Sequence, residues 1–173
     1  MHPLQGARRE DGPLIHGLSR SRKIGAGVLV AVVGVDQALK LLVASTHPLG
    51  GSTALLDGIL SLTYIRNPGA AFGLFPQVPI LVPALIALTL LSVLFYNDAR
   101  WVAPPRVQGA LALLAGGAVG NLIDRIRLGA VVDYIDVHVW PVFNVADLAV
   151  TTGAALLMIA LVARTLPPAA DPR

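Results

Sequence analysis

The sequence contains no cysteine, so disulfides, thiolate metal sites, a cysteine nucleophile and lipidation of the chain on cysteine are all excluded. Charge is scarce too: 13% of the 173 residues are Asp, Glu, Lys or Arg, against roughly 25% in an ordinary soluble domain. Aromatic residues make up 5%, and the four histidines include no His-Glu-x-x-His pattern, which argues against a zinc peptidase. What is abundant is apolar: 55% of residues are hydrophobic and the mean hydropathy is +0.71. The net charge of +3 raises the question of nucleic acid, but the basic residues sit beside apolar runs instead of interleaving with aromatics. The composition predicts one integral membrane domain with no nucleic-acid partner.

A bilayer core about 30 Å thick takes about 20 apolar residues in a helix. Four windows meet or approach that length, Ile24 to Ala44, Pro79 to Tyr96, Val107 to Ile126 and Asn144 to Ala163, and predict a mainly α, four-span protein. The first span reads as retained and not as a cleaved signal peptide, because a polar leader (1–23) precedes it, Asp36 and Lys40 lie within it, and no small-x-small cleavage site follows. Lys and Arg mark the sides. Arg8, Arg9, Arg20, Arg22 and Lys23 precede span one, Arg100 and Arg106 separate spans two and three, and Arg164 and Arg173 follow span four; the opposite side has only Arg66, Arg125 and Arg127. This bias predicts cytoplasmic termini, with residues 45–77 and the connection between spans three and four on the outer face. The leader and the tail (167–173) read as mobile.

In the outer loop, Leu55 to Ile65 is rich in β-branched and aromatic residues, is interrupted by Asp57-Gly58 and ends at Asn67-Pro68-Gly69. These are turn signals, and a hairpin or small sheet on the membrane surface is expected. The apolar stretch Ala70 to Phe75 reads either as an interfacial dip or as an anchor before span two.

Ionisable residues in or beside the spans are costly, about 2.5–3.5 kcal/mol for an Asp at a helix centre, and so default to functional hypotheses. Asp36 and Lys40, at i and i+4, share a helix face and read first as a structural ion pair, with a proton relay as the sharper alternative. Asn121 and Asp124, at i and i+3, follow a run of small residues suited to close helix packing, and Arg125 is adjacent. Asp133 and Asp136 lie in an apolar run, VVDYID, that reads as strand or helix. Asn144 is a good N-cap for span four, with Asp147 in its first turn. Two carboxylates held close in apolar surroundings cannot both ionise, so one stays an acid while the other activates water: the requirement of an aspartic hydrolase. Pattern alone does not choose the pair from Asp124, Asp133, Asp136 and Asp147.

Five motifs carry a resemblance. Asp36-Gln37-Ala38-Leu39-Lys40 is similar to D-Q-x-x-K, Asn67-Pro68-Gly69-Ala70-Ala71-Phe72-Gly73 to N-x-G-x-x-F-G, Gly120-Asn121-Leu122-Ile123-Asp124-Arg125 to G-N-x-x-D-R, Val131-Val132-Asp133-Tyr134 to V-V-D-[FY], and Phe143-Asn144-Val145-Ala146-Asp147 to F-N-x-A-D. Their order and span identify the chain as resembling the bacterial lipoprotein signal peptidases (signal peptidase II). The resemblance implies an aspartic endopeptidase of the inner membrane, active near its outer face. Such an enzyme removes signal peptides from prolipoproteins just before a diacylglyceryl-modified cysteine, works without metal or other cofactor, touches membrane lipid, and acts as a monomer. Carried over by motif, Asp133 and Asp147 are the catalytic pair. Asp36, Lys40, Asn67, Gly69, Asn121, Asp124, Arg125 and Asn144 shape the site or bind substrate, and Asp136 has no role. The rival from another class is a small ion or proton transporter using Asp36, Lys40, Asp124 and Asp147, which predicts charges through the whole membrane depth and an inverted repeat. A scaffold whose polar residues only join helices is the other.

Overall fold

The computed structural model describes residues 13–69, 81–95 and 104–165. Along the chain run α1 (Pro13–Thr46), β1 (Ser52–Leu56), β2 (Leu60–Asn67), α2 (Leu81–Phe95), α3 (Pro105–Leu128), β3 (Val131–Asp136) and α4 (Val145–Thr165). The leader up to residue 12, the Ala70 to Phe75 segment and the tail, for which expectations were stated above, lie outside the described residues. Among the described residues, three helices are long and apolar enough to cross a membrane: α1 over Arg20–Thr46, α3 over Pro105–Leu128 and α4 over Val145–Ala163. The described part of α2 has 15 residues, about 22 Å at 1.5 Å per residue, and is apolar but for Thr89 and Ser92. Helix α1 starts at Pro13, ahead of the first apolar residue of the expected span, so helix carries on into residues 13–23 of the polar leader.

Helix α3 is the central one. Of its most apolar window 56% is buried inside the protein, against 17% for α1 and 22% for α4, whose outward faces present Val30, Val35, Leu41 and Leu42, and Met158, Ile159, Leu161 and Val162. Such continuous apolar surface suits lipid and not water. Glycines let the three helices close up. A Cβ on Gly120 would lie 2.6 Å from Asp36 Oδ2 of α1, a Cβ on Gly116 would lie 2.9 Å from the Val32 Cβ, and one on Gly117 would run into the Ala146 carbonyl of α4. The small residues noted in the sequence are therefore contact points.

A hairpin or small sheet was expected after α1, and a small sheet is found. It is a three-stranded antiparallel sheet of order β1-β2-β3. The Asp57-Gly58 turn sits where the sequence placed it, with Gly58 at φ +70° and the Ile59 amide donating to the Leu56 carbonyl at 3.0 Å. The third strand comes from the distant VVDYID run, which forms a strand because Gly129, at φ +70°, ends α3 just before it with its amide on the Arg125 carbonyl. Pairing of Ile65 with Asp133 and Asn67 with Val131 carries the end of β2 alongside the start of β3. Tyr64, Val132 and Tyr134 pack on Val43 of α1, which fixes the sheet over the end of the bundle.

Candidate active site

After β3 the chain turns back at Trp140-Pro141, and Phe143 pairs with Ile135 as an isolated antiparallel bridge. This short return sets Asn144 beside Asp133, where its Nδ2 donates to Asp133 Oδ1 at 2.7 Å. Asn144 is also the N-cap of α4, as expected. Its Oδ1 accepts the Asp147 amide at 2.9 Å and its own amide donates to Asp147 Oδ2 at 3.3 Å, a reciprocal capping box. One asparagine thus links a strand carboxylate to a helix carboxylate. Asp133 takes a second donor, Asn67 Nδ2 at 3.1 Å, while Asn67 Oδ1 accepts the Gly69 amide at 3.0 Å. Asp147 takes its second from Asn121 Nδ2 at 2.8 Å.

Behind the two carboxylates lies a closed ionic cluster. The Lys40 ammonium is 2.9 Å from each of Asp36 Oδ2, Asp124 Oδ2 and Asn121 Oδ1. Lys40, Asp36 and Asp124 are at most 2% exposed. The two acids also join elements: Asp36 Oδ1 accepts the Ala146 amide of α4 at 3.0 Å, and Asp124 Oδ2, besides meeting Lys40, accepts the Val132 amide of β3 at 3.0 Å. The i, i+4 pair expected within α1 is present, but it is one edge of a larger node tying α1, α3, α4 and β3 together. Gln37 was not among the residues predicted to matter. Its Nε2 reaches Asp124 Oδ1 at 3.2 Å and the Gly120 carbonyl at 3.1 Å, and its Oε1 accepts from Arg127. The signal was available as a lone amide in an apolar span beside an acid.

Asn67, Gly69, Asn121, Arg125, Asp133 and Asp147 line one cavity of about 330 Å³, walled on the apolar side by Pro83 and Ile86 of α2, Ala118 of α3, and Val150 and Thr151 of α4. Arg125 lies at its rim and donates to the Gly69 carbonyl at 3.2 Å and the Asn121 carbonyl at 3.3 Å. Asp36, Lys40, Asp124 and Asn144 are not among the lining residues and support those that are. Asp136 lies at the far end of β3. There it accepts the His138 amide at 2.9 Å and the Thr63 hydroxyl at 3.1 Å.

Burial pushes the Asp133 carboxyl up to about 6, and the nearby Asp147 charge adds to this, while the Asn67 and Asn144 amides and the Lys40 charge oppose it. A carboxyl in that range can hold a proton or give it up near neutral pH. Asp136 goes the other way, held below the usual range mainly by the His138 amide. Tyr134, whose ring packs under β3, is pushed up to about 12 by burial and stays a neutral phenol.

Comparison with known proteins converges on one group. The family model for signal peptidase (SPase) II matches residues 28–163. The lipoprotein signal peptidase of Halothermothrix orenii is 40% identical over 136 residues, covering 78% of this chain and 92% of the relative. That of Pelotomaculum thermopropionicum is 43% identical over 134 residues, covering 78% and 88%. A solved bacterial membrane enzyme, determined by the in meso method at 2.3 Å, is 32% identical and superposes with a TM-score of 0.74 over 87% of this chain and 94% of its own. The matched stretch takes in α3, β3, α4 as far as Ala163 and residues 28–46 of α1, and so every residue of the cavity and of the cluster behind it: the chain belongs to the signal peptidase II family of peptidases.

Proposed function

We propose that this protein is an aspartic endopeptidase that cleaves the signal peptide from diacylglyceryl-modified prolipoproteins just before the lipidated cysteine, with Asp133 and Asp147 as its catalytic pair. Family membership supports the peptidase class. The observation that carries the choice of residues is the convergence of these two carboxylates, alone among the described aspartates, on one cavity whose lining divides into polar residues, Asn67, Asn121, Arg125 and the two acids, and apolar ones such as Pro83, Ile86 and Val150. That division suits a substrate with a polar scissile segment and an apolar signal helix.

In this reading the pair shares one proton. The ionised partner takes a proton from a water, which attacks the scissile carbonyl; the protonated partner donates to the carbonyl oxygen and the proton then passes to the leaving amine. The donors on each carboxylate leave the cavity-facing lone pairs free for the water and the shared proton. Arg125 at the rim supplies a fixed positive charge near the developing oxyanion. Asn67 and Gly69 present the turn after β2 to the substrate, and Asn121 and Asn144 hold the pair in register.

For the membrane, we infer four spans, with α2 as the fourth, both termini cytoplasmic and the cavity near the outer face of the inner membrane, on the Lys and Arg bias and the family's kinship with membrane enzymes. The substrate enters sideways, its acyl chains remaining in the outer leaflet, and the enzyme works as a monomer. A transporter would use Lys40 as a relay. Its three ammonium protons are all engaged in a buried cluster, which favours a structural part instead.

The test is signal-peptide release by the purified full-length protein in lipid, on a diacylglyceryl-modified prolipoprotein, read as a gel shift. Cleavage by wild type and none by folded Asp133→Asn or Asp147→Asn supports the reading. Full activity in either variant removes that residue from the pair.

A further inference from the structure

The buried cluster does more than hold helices together, as donor and acceptor chemistry makes plain. An ammonium has three protons and no lone pair, so every atom it approaches must be an acceptor. The protons of Lys40 point at Asp36 Oδ2, Asp124 Oδ2 and the side chain of Asn121, each at 2.9 Å. The carboxylates accept whatever their rotation, but the Asn121 amide has two distinguishable ends. With Lys40 on one side the oxygen must face it, and the NH2 must face the other way, onto Asp147 Oδ1 at 2.8 Å.

A second contact agrees. The Asp147 backbone amide, another obligate donor, fixes the oxygen of Asn144, so the Asn144 NH2 points at Asp133 and, at 3.1 Å, at Asn121 Oδ1. Turning the Asn121 amide over would set its NH2 against both an ammonium and another NH2, and its carbonyl against a carboxylate. Lys40, a residue that does not line the cavity, thus fixes the orientation of Asn121 together with the Asn144 amide.

We propose that Lys40 is a positioning residue for the reaction: its ammonium selects the one orientation of the Asn121 amide that donates to Asp147. The proposal rests on Asp133 and Asp147 being the catalytic pair. Asp36 and Asp124 hold the ammonium in place, and Asp36, through the Ala146 amide, also holds the first turn of α4, on which Asp147 rides.

The experiment uses the full-length protein in lipid with the diacylglyceryl prolipoprotein substrate. Because loss of Lys40 alone leaves two buried acids without a cation, the Lys40 variants are made with Asp36→Asn, which keeps the formal charge of the cluster the same. In that background Lys40→Met removes the donor that position 40 gives to Asn121 and leaves only the Asn144 amide, whereas Lys40→Gln still offers an NH2. The expected result is a kcat lower by on the order of tenfold or more for Lys40→Met, about 1.4 kcal/mol or more in barrier, with KM changed little, and a substantial recovery in Lys40→Gln. Asn121→Leu should show at least the same kcat loss, and combining it with Lys40→Met should add little, since both act through the same Asn121-to-Asp147 hydrogen bond.

A Lys40→Met protein with wild-type kcat, losses that simply add to those of Asn121→Leu, or failure of both Lys40 variants to fold in the Asp36→Asn background would each overturn the proposal and leave Lys40 a structural residue. These outcomes are separable from failure of the catalytic reading, which shows only in the Asp133→Asn and Asp147→Asn proteins.

Discussion

Strand β3 carries two aspartates three residues apart, and the two ends of the strand have given them opposite chemistry. Asp133 is 2% exposed, meets only side-chain amides and looks toward a second carboxylate across the cavity; Asp136 is partly exposed and is satisfied by a backbone amide and a hydroxyl. Burial raises the first and hydrogen bonding lowers the second. One short segment of the same apolar character thus presents an acid that can keep a proton and another that stays ionised. The difference lies in what the rest of the fold brings to each end. At Asp133 it brings α3, α4 and the turn after β2, and at Asp136 only neighbouring strand residues and the following loop.

The sharpest way to break this comparison is to make the same change at both positions. Asp133→Asn is isosteric and should lower kcat by about 10³-fold or more, within the range for removing a general acid or base. Asp136→Asn, measured in the same cleavage assay, should stay within about twofold of wild type. Equal losses would mean that the sheet end contributes to the reaction and that the two sites are not distinct.

The next effect concerns density around the buried cluster. A Cβ at Gly120 would meet Asp36 Oδ2, an atom that Lys40 already holds, so it cannot swing aside without breaking an ion pair. Gly120→Ala should cost about 1–3 kcal/mol, as overpacking typically does. Gly58, at the turn beside the sheet end, has open space but a left-handed backbone, and Gly58→Ala should cost about 1 kcal/mol or less. Thermal unfolding in detergent reads both, and a Gly58 variant more damaging than the Gly120 one would reverse the ranking of the two regions.

How far each region was legible in sequence follows the same division. Local signals held where the cause is local: the Asp57-Gly58 turn and the capping role of Asn144 were readable because each depends on neighbours within a few residues, and the small-residue stripe of α3 was readable as a spacing although its partners in α1 and α4 were not. The strand state of VVDYID was not, since its partner β2 lies more than sixty residues away and an apolar run of that length suits either structure. Likewise Asp36 and Lys40 read as a simple pair, whereas Lys40 serves three acceptors contributed by two helices. By spacing alone Asp133 and Asp136 were equal candidates. Only the motif resemblance separated them beforehand, and the fold supplies the physical reason in the return of the chain at Trp140-Pro141 that places Asn144 against one and not the other.

A smaller effect sharpens the contrast through pH. The Asn67 amide favours the charged form of Asp133, so Asn67→Ala should raise the Asp133 carboxyl further above about 6. In the proposed mechanism activity needs one proton on the pair, so the alkaline limb of the kcat/KM profile, where that proton is lost, should move to higher pH. The same raised group works against the folded state as it ionises: its contribution to stability is full below the ordinary carboxylate range and falls as pH rises toward about 6. An alkaline limb that stays in place or moves to lower pH would show that Asn67 does not govern Asp133.

The smallest expected effect is at Asp136, and its sign is the reverse. Its folded-state value is lowered, so its contribution to stability is present above the ordinary carboxylate range and is lost as pH falls through the lowered value. The carboxyl is well solvated and its charge largely screened, so the change should be slight. Its main cause is the backbone amide of His138, a residue at φ +62°, and not the imidazole. His138→Asn suits that left-handed backbone and keeps the amide, and should therefore leave Asp136 titrating below the usual carboxylate range while removing the ring's contact with Ser61. The Asp136 side-chain signal followed by NMR against pH decides it. A return to the ordinary value in His138→Asn would transfer the cause from the backbone to the ring, making the sheet end, like the cavity, a place where side chains set the charge.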